Sequence, residues 1–493
     1  AGNPLLISID ALIADGLLAE GDIKVPLKLG RSIRVDFESV DKLKKTALAK
    51  AFVNFKAKLK IDAELEKKFK AFCTAQSYWL EDYALFAAIK QKHGGAYWVE
   101  WDIKIKQRDK KVLATLVKEL ADDILFTEFE QFIFEQQWQK LHKYALERGI
   151  QIMGDMPIFV SADSADAWAN QQEFQLDEEG HPEKVAGVPP DYFSATGQLW
   201  GNPQYDWDEM AKTKYKWWKL RFKRIFEIVD IARVDHFRGF DTYWRVPAGE
   251  KTAIIGKWIQ APGKKLLAAL QSEFPNLPVI AEDLGDITPE VLTLRDEFAL
   301  PGMKVMQFAF DSDAENPYLP HNFETSNCVC YTGTHDNHTL RGWVKSNEDA
   351  VNDYAMRYLG VKKAKKLPKA MLRAAWGSTA RIAVAPLQDF LNAPPSARIN
   401  TPSTLGGNWV FRTKKSDYSA KLKAYIRSLN ETYGRLCELA EEQGIQVVSL
   451  HAGMRVVDGN LVMTCLHPGA GYASESTNGY SAVMDLQYGA FTA

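Results

Sequence analysis

The chain has 493 residues, 46% of them hydrophobic and 25% charged, with basic and acidic residues interspersed to a formal net charge of −2. That composition can bury a large core, and it lacks both the basic stripe of a nucleic-acid binder and the stretch of about 18 apolar residues that a membrane span needs. Five cysteines, Cys73, Cys328, Cys330, Cys437 and Cys465, form no C-x-x-C pair, so a reducing, cytoplasmic compartment is expected, with no metal and no redox motif.

Residues 36 to 148 carry helical periodicity, in Leu43, Ala47, Ala51, Phe52 and Phe55 and again in Phe69, Phe72, Tyr78, Trp79, Tyr83 and Phe86. A helix through Phe132, Trp138, Leu141 and Tyr144 is expected to end near Gly149, ahead of a strand at Ile150-Gln151-Ile152-Met153. Helix-then-strand then recurs. Ile225 to Val234 runs into Asp235, Leu277 to Ile280 into Glu282, Met303 to Phe310 into Asp311, and Cys328 to Tyr331 into His335-Asp336.

Short apolar strands alternating with helices imply parallel β/α units, buried on both faces. A carboxylate stands at or beyond the end of each strand. In an α/β barrel such ends converge on one mouth, whereas a single strand-end Asp is as easily a cap. An insertion of roughly 70 residues between Asp155 and Asp235 exceeds any ordinary βα loop. It holds Pro189-Pro190-Asp191-Tyr192-Phe193-Ser194 and Gly197-Gln198-Leu199-Trp200-Gly201-Asn202-Pro203, aromatic and amide groups suited to stacking on sugar faces and bonding hydroxyls.

Retaining cleavage of a glycosidic bond needs an acid for the leaving oxygen and a carboxylate about 5 Å away on the opposite face of the sugar. Asp235 and Glu282 are the candidates, because adjacent strands lie about 4.8 Å apart. Arg233, two positions before Asp235, points the same way along the strand and is expected to hold it ionised and oriented; a structural Arg–Asp pair is the plainer explanation. His236 and Arg238 add polar reach. Either desolvation or the neighbouring Asp283 would raise the Glu282 carboxyl toward a working acid. In Thr334-His335-Asp336-Asn337-His338, the His–Asp pair is suited to gripping adjacent hydroxyls, with Asp336 balancing the charge of an oxocarbenium-like transition state; the His335/His338 spacing makes a poor metal motif.

These residues resemble the amylomaltase, or disproportionating-enzyme, family of 4-α-glucanotransferases in the α-amylase clan, over approximately residues 1 to 435. The matching segments include Gly154 to Val160, Asp163 to Trp168, Val185 to Pro203, Arg233 to Phe240, Ala281 to Gly285, Thr332 to Asn337 and Gly407-Asn408-Trp409. The resemblance implies a (β/α)8 TIM barrel with inserted, mainly helical subdomains, and Asp235 as nucleophile, Glu282 as acid/base and Asp336 as transition-state stabiliser. It also implies that Asp155, Arg233, His236, Asp283 and His335 contact sugar, and that Asp191, Tyr192, Phe193, Gln198 and Trp200 lie on the acceptor side. The substrates expected are α-1,4-glucans and maltooligosaccharides, with no cofactor, nucleic acid or membrane.

Two departures from the family pattern shape the expected domains. The chain opens at Ala1-Gly2-Asn3-Pro4, where members carry a preceding segment with the first barrel strands, so the barrel is expected to be incomplete at its N-terminus. The pattern closes near Tyr433-Gly434-Arg435. The expected division is a barrel remnant and helical subdomain at 1–148, a catalytic barrel at 149–435 with an inserted loop at about 161–222, and a tail at 436–493. Strand-like runs at Ile445 to Leu450 and Leu461 to Leu466 could supply missing strands, or the tail could be loosely ordered. A retaining α-glucan hydrolase and an inactive glucan-binding protein are the alternative functions.

Overall fold

The computed structural model describes residues 1–26, 29, 32–190, 194–402 and 404–435, with strand residues 455–458, 461–465, 480–481 and 484–488. The fold is α/β. It divides into two compact units, one of residues 1–7, 48–139 and 153–298 and one of residues 8–47, 140–152 and 299–493. No helix among the described residues is long and apolar enough to cross a membrane.

Among the described residues the first unit holds two sheets. Strands β1 (Met153–Pro157), β4 (Ile231–Asp235) and β7 (Val279–Ala281) form a parallel sheet in the order β1-β4-β7. Strands β2 (Lys184–Val188), β3 (Gln198–Pro203), β5 (Thr242–Pro247) and β6 (Lys257–Gln260) form an antiparallel sheet in the order β3-β2-β5-β6. The long helix Ala63–Lys92 starts at Asp62, whose side chain accepts the Leu65 N–H. Glu64 and Glu66 lie in its first turn and Lys90 and Lys92 in its last, matching the helix dipole. Its apolar face meets other aromatic rings, with Phe69 5.3 Å from Phe55 and 5.4 Å from Phe132 between centroids. A second cluster gathers Phe86, Trp98, Trp101 and Trp168, all buried.

In the second unit, β8 (Gly302–Val305), β9 (Cys328–Tyr331) and β10 (Ile382–Val384) are parallel. The pair β13 (Tyr480–Ser481) joins β10, also in parallel. Strands β11 (Arg455–Asp458), β12 (Leu461–Cys465) and β14 (Met484–Tyr488) form a separate antiparallel sheet. The core packs Phe310, Leu340, Met371, Trp376 and Ile426 behind the parallel strands.

The alternation of helix and parallel strand agrees with the sequence pattern, and the boundaries differ. Ile225 to Ile228 belong to the helix Lys216–Ile228, and the strand starts only at Ile231. The expected strand at residues 150–153 begins instead at Met153, so Ile150 and Ile152 are buried ahead of it. After β8, residues Met306–Phe308 tighten into a 3-10 turn. Apolarity alone does not separate a buried helix end from a buried strand. The expected run at residues 461 to 466 is β12; the one at 445 to 450 lies outside the described residues.

Candidate active site

In β4 the side chains of Ala232 and Val234 are fully buried, which turns Arg233 and Asp235 together to the other face. The register sets Asp155 of β1 opposite Arg233, and Val234 opposite Ala281 of β7. One step further along both chains come Asp235 and Glu282, side by side at the C-terminal edge of the sheet. The Glu282 N–H continues the ladder to the Val234 carbonyl at 3.1 Å.

Arg233 joins two carboxylates. Its Nη1 lies 2.7 and 2.8 Å from the Asp155 oxygens, and its Nη2 lies 2.9 Å from Asp235 Oδ1. Burial works against the guanidinium charge, but Asp155, Asp235 and Glu282 outweigh it and raise the pKa. The Asp235 carboxylate stays open, with 47% of the side chain exposed against 11% for Arg233.

Glu282 has the opposite environment. Desolvation pushes its carboxyl up to about 7, with Asp235 and Asp283 adding and Arg233 opposing. Two backbone donors hold it, His236 N–H to Oε2 at 2.7 Å and Leu284 N–H to Oε1 at 3.2 Å. The His236 backbone that makes the first of these bonds is left-handed, at φ 52° and ψ 50°, which a non-glycine residue adopts only when its surroundings hold it there. The His236 ring meets Trp200 edge to face, 4.9 Å between centroids. Burial, outweighing Asp235, lowers the imidazole to about 4, so it is neutral at pH 7. Its Nε2 is buried with no hydrogen-bond partner among the described residues.

Trp200 is carried on β3 and is 37% exposed, with its indole N–H donating to Gln198 Oε1 at 3.2 Å. Asn202 ties the same strand to the Val160 carbonyl at 2.8 Å. Gly197 opens the strand at φ 65°, where a Cβ would lie 2.3 Å from the Val188 carbonyl oxygen. Asp191, Tyr192 and Phe193 lie outside the described residues.

Asp283, expected from the sequence to contact sugar, takes part in an ion pair. It is 8% exposed, and its carboxylate pairs with Arg295 Nη1 at 2.5 Å. On an extended backbone the residue after Glu282 turns to the face opposite Glu282. Asp283→Ala leaves the buried Arg295 guanidinium with only its contacts to Asp296, at 2.7 and 2.8 Å, and is expected to lower the unfolding free energy by about 1–3 kcal/mol, read from denaturant melts.

In the second unit, the loop from Thr332 to Thr339 brings His335 and Asp336 together, with His335 Nε2 3.4 Å from Asp336 Oδ2. The His335 ring lies against half-exposed Trp409, 5.2 Å between centroids. Two residues that sequence reasoning missed hold Asp336. Asn400 Nδ2 donates to Asp336 Oδ1 at 2.5 Å, and Arg398 Nη2 donates to its carbonyl at 2.6 Å. Both sit in an irregular Pro-rich stretch, where no periodicity separates them from loop polar residues. Arg398 Nη1 also lies 3.2 Å from His338 Nε2. Among the described residues no group of three His, Cys, Asp or Glu could hold a metal ion.

A family model described as 4-alpha-glucanotransferase (Glyco_hydro_77) matches residues 1–417. The chain is 46% identical over 437 residues to a 4-alpha-glucanotransferase of Synechocystis, covering 88% of this chain and 86% of that one. With a 4-alpha-glucanotransferase of Thermus thermophilus it shares 44% identity over 442 residues, covering 88% and 87%. The amylomaltase of Streptococcus agalactiae in complex with acarbose matches the structure at a TM-score of 0.84 and 36% identity, covering 88% of this chain and 87% of that one.

Proposed function

The chain belongs to the 4-alpha-glucanotransferase family, and we infer from that premise how its residues divide the work of moving α-1,4-glucan segments from a donor to the 4-OH of an acceptor glucan or glucose. Asp235 is the nucleophile and Glu282 the acid/base of a retaining double displacement. One observation carries this assignment: in-register strands β4 and β7 set two carboxyl groups side by side in opposed environments, one open and gripped by Arg233, the other buried and raised to about 7.

In the first step the Glu282 carboxyl gives its proton to the glycosidic oxygen while Asp235 attacks C1, leaving the donor segment on Asp235 as an ester. In the second the Glu282 carboxylate takes the proton from the acceptor 4-OH, whose oxygen displaces Asp235. Asp155 and Arg233 orient the nucleophile and meet sugar hydroxyls, and neutral His236 offers its unpartnered Nε2 to another. Trp200 and Gln198, with Asp191, Tyr192 and Phe193, receive the acceptor. His335 binds sugar hydroxyls and Asp336 stabilises the transition state.

The finer description of the fold is a (β/α)8 barrel with inserted subdomains, in the division 1–148, 149–435 and 436–493; the parallel strands in each unit and the likeness to an amylomaltase support it. A cytoplasmic location, with no membrane or nucleic-acid partner, completes the reading.

Incubation with maltotriose, followed by chromatography, tests the function. Glucose together with maltooligosaccharides longer than the substrate is expected. Reducing ends rising in step with substrate loss would make the chain a hydrolase, and binding without products would make it a glucan-binding protein.

A further inference from the structure

The loop that presents His335 and Asp336 is braced inside and pinned at both ends. Inside, Asn337 Oδ1 accepts the Thr334 N–H at 2.7 Å and the Thr334 hydroxyl at 2.9 Å, and Thr334 Oγ1 accepts the Asp336 N–H at 3.2 Å. At the ends, a single carboxylate takes both bonds. Asp389 Oδ2 accepts the Thr332 hydroxyl at 2.7 Å, and Asp389 Oδ1 accepts the Leu340 N–H at 2.7 Å.

Asp389 is 3% exposed, and Thr332 and Leu340 are fully buried. Leu340 is the first residue of the helix Leu340–Ser346, whose cap Thr339 bonds Gly342 rather than Leu340. The Leu340 N–H is therefore an orphan helix donor that Asp389 satisfies. Asp389 itself sits on the short helix Leu387–Phe390, and that helix follows the neighbouring strand β10. Burial pushes its carboxyl up to about 7, against the pull of the two donors.

We infer that Asp389 is a positioning residue for the transfer reaction, fixing both ends of the Thr332–Leu340 loop so that Asp336 is held in its working place. The inference rests on the assignment of Asp336 as transition-state stabiliser. Neither Asp389 nor Thr332 touches substrate; both act through Asp336. Small displacements of such a group are costly, since a misplacement of about 1 Å can cost on the order of 10²-fold in rate.

The test is a mutant cycle on the full chain, with an α-maltosyl fluoride donor to keep slow variants measurable. Thr332→Val removes one pin with little change of shape, and Asp389→Ala removes both. Each is expected to lower kcat about 10-fold or more with KM little changed, and to lower it less than about twofold when Asp336 is already Asn. Asp389→Asn is expected to restore most of the rate. Its amide oxygen can accept the Leu340 N–H, and its NH2 can donate to a reversed Thr332 hydroxyl. If Asp389→Ala does not fold, Thr332→Val decides alone. Equal losses in both backgrounds, or none in the unmodified chain, would overturn the inference while leaving Asp336 in its role. Full activity of Asp336→Asn would overturn the assignment of Asp336 and this inference with it.

Discussion

Asp235→Asn is expected to fold normally and to lose on the order of 10⁴-fold or more in kcat, because an amide cannot form the glycosyl ester through which both proposed half-reactions pass. The fold should tolerate the change. The Asp235 side chain is about half exposed, and Arg233 keeps its two contacts to Asp155 when the Asp235 charge is removed. Thermal melts within a degree or two of the unmodified chain, alongside the lost rate with maltotriose, are the expected pair of results. A shared loss of stability and rate would instead mark the Arg233 cluster as structural.

Glu282→Gln is the second large effect, and it should depend on the leaving group. With maltooligosaccharide donors kcat is expected to fall about 10²–10⁴-fold, the range for removal of a positioned acid. With α-maltosyl fluoride, whose fluoride departs without a proton, the first step should be largely spared. The pH dependence follows from the direction of the shift. The folded-state carboxyl is raised to about 7. In the proposed mechanism the protonated form is the acid of the first step, so kcat/KM should fall as pH rises through about 7, and Glu282→Gln should lack that limb. A raised carboxyl also adds stability that is full below its unfolded value and lost as pH rises through the folded value. The unmodified chain should therefore lose stability across that window relative to Glu282→Gln, measured by denaturant melts at pH 5 and pH 8.

Much of the candidate site's geometry could be read from the sequence because its residues follow strands. Asp235 and Glu282 each close a short apolar run, and parallel pairing turns that shared position into proximity. Arg233 was legible for a similar reason, since a two-residue step on a strand preserves the face. Adjacency to Glu282 in sequence puts Asp283 on the opposite face of an extended backbone, where its bond with Arg295, 12 residues away in the chain, left no periodic signal. Arg398, Asn400 and Asp389 were invisible. Each reaches the Asp336 loop from far along the chain, through contacts between loops and helix ends that have no period to detect. The left-handed backbone of His236, which aims its N–H at Glu282, likewise left no mark in composition or spacing.

The assignment of Asp235 as the residue that carries the sugar is tested most directly by trapping the ester. Glu282→Gln would be loaded with α-maltosyl fluoride in the absence of acceptor, digested at low pH, and its peptides weighed by mass spectrometry. One maltosyl unit on the peptide containing Asp235, absent from Asp235→Asn, is the expected result. A maltosyl unit on a peptide carrying Asp155 or Asp336 instead, with the Asp235 peptide unmodified, would contradict the double displacement set out above.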